Sequence, residues 1–575
     1  METQFTESVY MEDESVGYVV GETSTTQVVA RYDGKVIRGK YVIVKGEDKY
    51  LLGLIEDVRS RSDLIEDGLH TEDIKRIVEE IGMDEKAVYA KIRLLAELDE
   101  LLNGKIVPPR TAPHPGAEVR VASDELLRRI FTKDNDPRYI RIGTLAAHPN
   151  VPFFVNLNQI VTRHLAILAV TGAGKSNTVT VLSERIARKG GIVVIFDMHG
   201  EYSKATDEEL INTIKGKINP NKIDHSSFVR LLNLREAPKQ ELYIRNLLKA
   251  WNVLYQGNFY KDPSDMLDAL SEMLEELMGG SKLPIIKDPY LVSKAVDEEL
   301  RKSKTIHMKP LKFLIGFVKG NLASARYSFC KDPERCMSAM SVLDVPGTDK
   351  NSTLPSLMIK LEDMKERYKE IIDFAFNDII DKIEKGKINV VDLSTVDEDA
   401  ADVIVSTFLK RILFERKRYV QSGGTEGFKY PLLVVLEEAH ILAPRDRSTS
   451  TKHWAARVAR EGRKFGVGIC LVSQRPKNVD QDTLSQANNM IILRLIEPSD
   501  QKHVQASSES LSDDLLSQLP SLATGEGVVL GPMTTLPALV KIDKAEKKVI
   551  GADIDVVKEW QNEERVEVED IWSQL

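Results

Sequence analysis

The run Ala169-Val170-Thr171-Gly172-Ala173-Gly174-Lys175-Ser176 follows an apolar stretch and opens a helical pattern from about 177 to 189. Glycines in such a turn let backbone N–H groups point at phosphate oxygens, and a helix N-terminus adds its dipole. In that setting Lys175 would bridge the β- and γ-phosphates of ATP and the Ser176 hydroxyl would hold Mg2+. The expected nucleotide-binding residues are therefore Thr171, Gly172, Ala173, Gly174, Lys175, Ser176 and Asn177. The first glycine of the usual pattern is replaced by Ala169, whose methyl fits if φ there is negative.

A second apolar run, Pro431 to Leu436, ends in Glu437-Glu438-Ala439-His440. Carboxylates at the C-terminal end of a parallel strand face the ligand crevice of such a sheet. Glu437, where Asp is more usual, would hold Mg2+ through water, and Glu438 would polarise the attacking water as general base. Gln474 ends another strand, Val467 to Ser473, where it could bond the γ-phosphate or that water. Upstream, Arg457, Arg460 and Arg463 recur at spacing three. They read either as a solvated basic face or as the source of an arginine finger for a neighbouring subunit, worth on the order of 10³ to 10⁵ in rate. Asp197-Met198-His199-Gly200-Glu201-Tyr202 follows another strand, so Asp197 or Glu201 could position water or Mg2+, while His199 reads as structural. Arg445, Arg447 and Lys452, with Lys477 after the Gln474 strand, lie on segments that leave the proposed catalytic strands. They could grip backbone phosphates of a polyanion without reading sequence; ordinary surface loops are the plain alternative, and the basic helix Arg411 to Arg418 is the next place to look.

The elements that carry these groups alternate apolar runs with amphipathic helices, which predicts an α/β domain with a parallel central sheet. Its strands are Leu165 to Val170, Ile192 to Phe196, Ile388 to Leu393, Leu432 to Leu436, Val467 to Val472 and Met490 to Leu493. Between the second and third, residues 203 to 387 are too long for a loop and carry helical patterns such as Leu242 to Leu254, so a helical subdomain is expected there. Ahead of the sheet domain, short strands punctuated by Asp33-Gly34 and Gly46-Glu47-Asp48 predict a small β-barrel over 1–145. Helical spacing of Ile74, Ile77, Val78 and Ile81, then Val88, Ile92, Leu95 and Leu98, predicts a helical insertion at about 60–103, with strand character returning at Gly116 to Val121 and Ile140 to Ile142. The ATPase domain is expected over 146–543. A charged arm, 544–575, with Val556, Val557, Trp560 and Trp572, reads as a docking segment.

With 575 residues, 42% hydrophobic, the chain can bury a sizeable core in two or three domains. Its three cysteines, Cys330, Cys336 and Cys470, exclude a disulfide scaffold and make a zinc site improbable. Acidic residues at the N-terminus and strand-sized apolar runs argue against a signal peptide or membrane span, so a cytoplasmic protein is expected. The net charge of −9 argues only weakly against nucleic acid, because binding depends on local potential.

Together TGAGKS at 171–176, DMHGEY at 197–202, VVLEEAH at 434–440, AREGRKFGVG at 459–468 and SQRP at 473–476 resemble the HerA family of DNA-translocating ATPases, within the FtsK/HerA group of ring-forming P-loop motors. The resemblance spans nearly the whole chain and implies a RecA-like core behind a HAS-barrel-like domain. It implies phosphate-loop roles for Lys175 and Ser176, acidic-motif roles for Glu437 and Glu438, a sensor role for Gln474, and a trans-acting finger at Arg460 or Arg463. Arg163 matches a further nucleotide-site arginine. The family implies a homo-hexamer that threads double-stranded DNA and resects ends with the nuclease NurA. Other classes that fit parts of the pattern are a rotary-type ATPase subunit and a nucleotide-gated clamp that recruits a nuclease; a clamp has no need of the Glu438 base.

Overall fold

The computed structural model describes residues 11–546 except 33, 62–64, 66–68, 82–86, 204–208, 235–236, 257–261, 279–349 and 509–510. Strands β1 (Met11–Val20), β2 (Gln27–Tyr32), β3 (Tyr41–Lys45), β4 (Tyr50–Arg61), β5 (Ala87–Glu97) and β6 (Glu118–Ala122) close into a barrel in the order β1-β2-β5-β4-β3-β6. Val28, Ala30, Val42, Val44, Ala90, Ile92 and Val119 fill its interior as one buried cluster. Closure leaves no unpaired edge.

The helical insertion expected over 60–103 is corrected. A helix does cover Thr71–Ile81, but Val88, Ile92 and Leu95 lie on β5, which pairs antiparallel with β2 and β4. A spacing of four satisfies a period of two as well as one of 3.6, and the buried alternation Ala90, Ile92, Leu94, Ala96 is the strand's own. The strand at 140–142 is also not part of the barrel. It belongs to β7 (Tyr139–Leu145), which with β8 (His148–Asn156) joins the second sheet.

That sheet adds β9 (Leu165–Leu168), β10 (Val193–Asp197), β11 (Ile211–Lys215), β12 (Ile388–Asp392), β13 (Leu432–Leu436), β14 (Val467–Ser473), β15 (Asn489–Ile492), β16 (Glu526–Leu530) and β17 (Ala538–Ile542). Its order is β11-β12-β10-β13-β14-β9-β15-β16-β17-β7-β8, parallel from β11 to β15 and antiparallel beyond. The six strands read from apolar runs all fall in the parallel half, where burial on both faces demands such runs. The stretch 203–387, expected to be helical, also supplies the edge strand β11. Its described helices, His225–Leu231, Pro238–Gln256, Met266–Met278 and Lys350–Arg367, bury Tyr243, Leu247, Trp251, Leu270, Leu357 and Leu361. Cys470 is buried on β14; Cys330, Cys336 and the arm residues Val556, Val557, Trp560 and Trp572 lie outside the described residues.

Candidate nucleotide site

Strand register brings the motifs to one sheet edge. β10, β13, β14 and β9 are consecutive neighbours, with Phe196 paired to Leu436, Leu436 to Leu471, and Ser473 to Leu168. Counting on, Asp197 stands level with Glu437, and Glu438 with Ser473. The phosphate loop, both glutamates, Gln474 and the 197–202 turn therefore leave the same C-terminal edge, where parallel sheets bind ligands.

Gly172 and Gly174 adopt φ of 74° and 103°, conformations that glycine takes at no cost, and the helix Lys175–Arg188 starts directly behind them. A side chain at 174 would meet Gly525 Cα and N at 3.3 Å. The Gly525 N–H in turn donates to Ala173 O at 2.9 Å, so the turn before β16 seats the loop from behind. Sequence reading missed this support because nothing local in Thr524-Gly525 marks it. Ala169 is buried and has no positive φ, so its methyl is accommodated as expected.

Lys175 reaches between the two glutamates, with Nζ 3.1 Å from Glu437 Oε2 and 2.6 Å from Glu438 Oε1, all three side chains buried. Burial alone would lower the Lys175 pKa, but the two carboxylates outweigh it and raise it. Burial pushes the Glu437 carboxyl up against the pull of Lys175 and of the Tyr202 hydroxyl, which donates at 2.5 Å. Burial also acts upward on Glu438, yet its contact with His440 Nδ1 at 3.1 Å and the Lys175 charge hold it down at about 2. Glu438 has φ of 47°, a left-handed conformation rare for glutamate. Such strain clusters where the surrounding structure fixes a functional group. Gln474 Nε2 donates to Glu438 Oε1, and the Thr171 hydroxyl donates to Gln474 Oε1.

Two expected ligands are corrected. Asp197 is buried and its carboxylate accepts backbone N–H bonds from His199, Gly200, Glu201, Tyr202 and Ser203, so it shapes the turn instead of facing a ligand. That turn presents Glu201, whose Oε2 accepts the Ser176 hydroxyl at 2.6 Å, and Tyr202. Asn177 turns away from the loop: its Nδ2 donates to Asp543 O at 2.8 Å and its Oδ1 accepts Ala545 N–H at 2.9 Å. It is an anchor for the segment after β17.

Three family models match: HAS barrel domain over 16–103, Helicase HerA central domain over 140–412, and Helicase HerA-like C-terminal over 373–552. The chain is 38% identical over 549 residues to the DNA double-strand break repair helicase HerA of Sulfurisphaera tokodaii, covering 95% of this chain and 96% of that one. It is 37% identical over 558 residues to the protein of the same name from Sulfolobus acidocaldarius, covering 96% and 98%. The chain belongs to the HerA family.

The remaining residues expected in a HerA site stand elsewhere. Arg460 and Arg463 are exposed at the end of the helix Ser450–Glu461 and in the turn Gly462–Lys464, ahead of β14. Arg457 is no third equivalent: it pairs with Glu461 at 3.0 Å and lies over the Trp454 ring. Lys175, Glu438 and Gln474 lie at the other end of β14, a strand of seven residues that spans roughly 20 Å. Arg163 ends the helix Leu157–Arg163 just ahead of β9, and the length of β9 separates it from the phosphate loop of its own chain.

Of the four basic residues expected to meet DNA, Arg447 pairs with Glu398 at 2.5 Å, Lys452 with Asp480 at 2.8 Å, and Lys477 with Glu497. Arg445 is exposed. Arg445, Arg447, Arg475, Lys477, His440 and Glu438 line a cavity of about 890 Å³ beside the acidic motif. Lys452 does not line it.

Proposed function

We propose that this chain is an ATP-driven translocase of double-stranded DNA that works as a ring of six copies in double-strand break repair, alongside a NurA-type nuclease. One observation carries the reading: Arg460 and Arg463 lie across β14 from Lys175 and Glu438, so one subunit's arginines can complete only another subunit's site. Sites shared head to tail generate rings when the rotation closes. Relatives carrying a HerA repair-helicase name over nearly their full length support the DNA role.

The loop fits a nucleotide, because two positive-φ glycines, a buried lysine and a helix N-terminus converge there. Ser176, Glu201 and Glu437 offer the oxygen donors that a hard cation takes. Ser176 and Glu437 would hold a magnesium ion bound with ATP, which would supply neutralisation of phosphate charge. Lys175 and Gln474 both donate to Glu438 Oε1, so the base is engaged. Transfer of Lys175 to the phosphates releases Glu438 to orient the attacking water, and Gln474 links that change to the phosphate loop through Thr171. Arg445 and Arg475, exposed on the cavity wall, follow the strands that carry these groups and would grip DNA phosphates as the strands move. Among the described residues no helix is long and apolar enough to cross a membrane, in keeping with work in the cytoplasm.

The test is the ATPase rate of the purified protein with and without duplex DNA. Strong stimulation supports a motor, and an unchanged rate supports a clamp.

A further inference from the structure

We infer that His164 is a positioning residue for the trans-acting arginines, tying the turn that bears them to the strand that carries the phosphate loop. The inference rests on the shared-site reading above. His164 immediately precedes β9 with φ 62° and ψ 166°, a region that is essentially glycine's. Residues persist there only when their surroundings over-determine them, and this one is 3% exposed and held from both sides. Asn489 Nδ2 donates to its carbonyl at 2.7 Å, and the Asn488 N–H donates to the carbonyl of Arg163 at 3.0 Å.

The ring makes the bridge. The Ile469 N–H of β14 donates to Nδ1 at 3.2 Å, so that nitrogen carries no proton. Nε2 therefore bears the hydrogen and donates it to the carbonyl of Ala459 at 2.8 Å, one residue before Arg460. Burial lowers the pKa of the ring and keeps it neutral, as both bonds require. Gly468 lets the parts close up, since a Cβ there would stand 2.8 Å from Val161 Cα and O on the helix Leu157–Arg163. A glycine at 164 would take the backbone without strain but could not reach Ala459. The strain is retained, on this reading, for that reach. It seats Arg163 beside the turn holding Arg460 and Arg463, and fixes all three relative to the strand whose far end is the phosphate loop.

The test is His164→Asn. Asparagine tolerates positive φ, and its Oδ1 can still accept from Ile469 while the bond to Ala459 is lost. The DNA-stimulated kcat should fall about tenfold, the scale of one net hydrogen bond, with ATP KM and ATP affinity unchanged. In rings mixed with Lys175→Ala subunits, whose arginines are intact, activity per intact pocket should recover. Rings mixed from Lys175→Ala with Arg460→Ala and with Arg463→Ala serve as controls, with co-assembly checked by two affinity tags. If His164→Asn misfolds, His164→Gly, which relieves the backbone, takes its place in the same scheme. A wild-type kcat, or a loss of ATP affinity in place of kcat, overturns the inference. So does failure to recover in mixtures where an arginine variant recovers, which leaves the shared site standing. Failure of both arginine variants in verified mixed rings overturns the shared site, and the inference falls with it.

Discussion

Gln474 Nε2 donates to Glu438 Oε1 at 2.7 Å, while its own amide oxygen accepts the Thr171 hydroxyl at 2.5 Å. One side chain thus touches both the phosphate loop and the proposed base. Gln474→Ala should lower kcat by about 10² to 10³, the range for removing one preorganised donor, with a smaller effect on KM. Steady-state kinetics at saturating DNA check this, and an unchanged kcat counts against the sensor role.

Lys175 sits between two buried carboxylates, so its removal has two consequences. Lys175→Ala should abolish ATP binding and also destabilise the nucleotide-free protein by about 3 to 5 kcal/mol, the cost of stranding a buried charge. Glu438→Gln should keep ATP bound and hydrolyse it poorly, because the base acts mainly on the attacking water. Nucleotide-binding titrations and chemical unfolding of both variants separate these effects.

The lowered His164 pKa gives stability a pH dependence whose sign can be worked out. Below the ordinary histidine value of 6.5, the unfolded chain takes up a proton that the buried ring refuses. Stability then falls with falling pH, by up to about 1.4 kcal/mol per pH unit for one proton. His164→Asn lacks this proton, so the stability difference between wild type and variant should shrink from pH 7.5 to 5.5. Urea unfolding at both pH values measures it; a difference that grows on acidification contradicts the buried neutral ring.

Much of this was legible in the sequence because the parallel strands are runs such as Leu432 to Leu436, buried on both faces, and because Gly172, Gly174 and Lys175 carry their own local geometry. The sequence of β5 suits a helix as well as a strand, since Val88 and Ile92 share a face under either period. Asp197 differs from its expected role because residue type gives a carboxylate but not its destination, and five backbone N–H groups of its own turn consume it. Tyr202, lying in the 197–202 motif, was visible but unassigned; its role appears only when β10 is set beside β13. The distance of Arg463 from its own site follows from the length of β14, which the sequence already contained.

Ion pairing distinguishes the basic residues near the cavity. Lys452 is committed to Asp480 and Pro444 O, whereas Arg445 and Arg475 are exposed on the cavity wall. Arg445→Ala with Arg475→Ala should weaken duplex binding alike on any sequence and flatten its log–log salt dependence by roughly 0.9 per lost phosphate contact. Lys452→Ala should leave the slope unchanged. Equal slopes for all three proteins would remove the DNA grip from this cavity.

The most direct test is movement itself, read as ATP-dependent displacement of a third strand from an internal site on linear duplex DNA. The wild-type chain should strip the triplex with ATP, and Glu438→Gln, still binding ATP, should not. Displacement by Glu438→Gln at the wild-type rate, or none by a wild-type protein whose ATPase duplex DNA stimulates, would contradict a translocase driven by hydrolysis at this site.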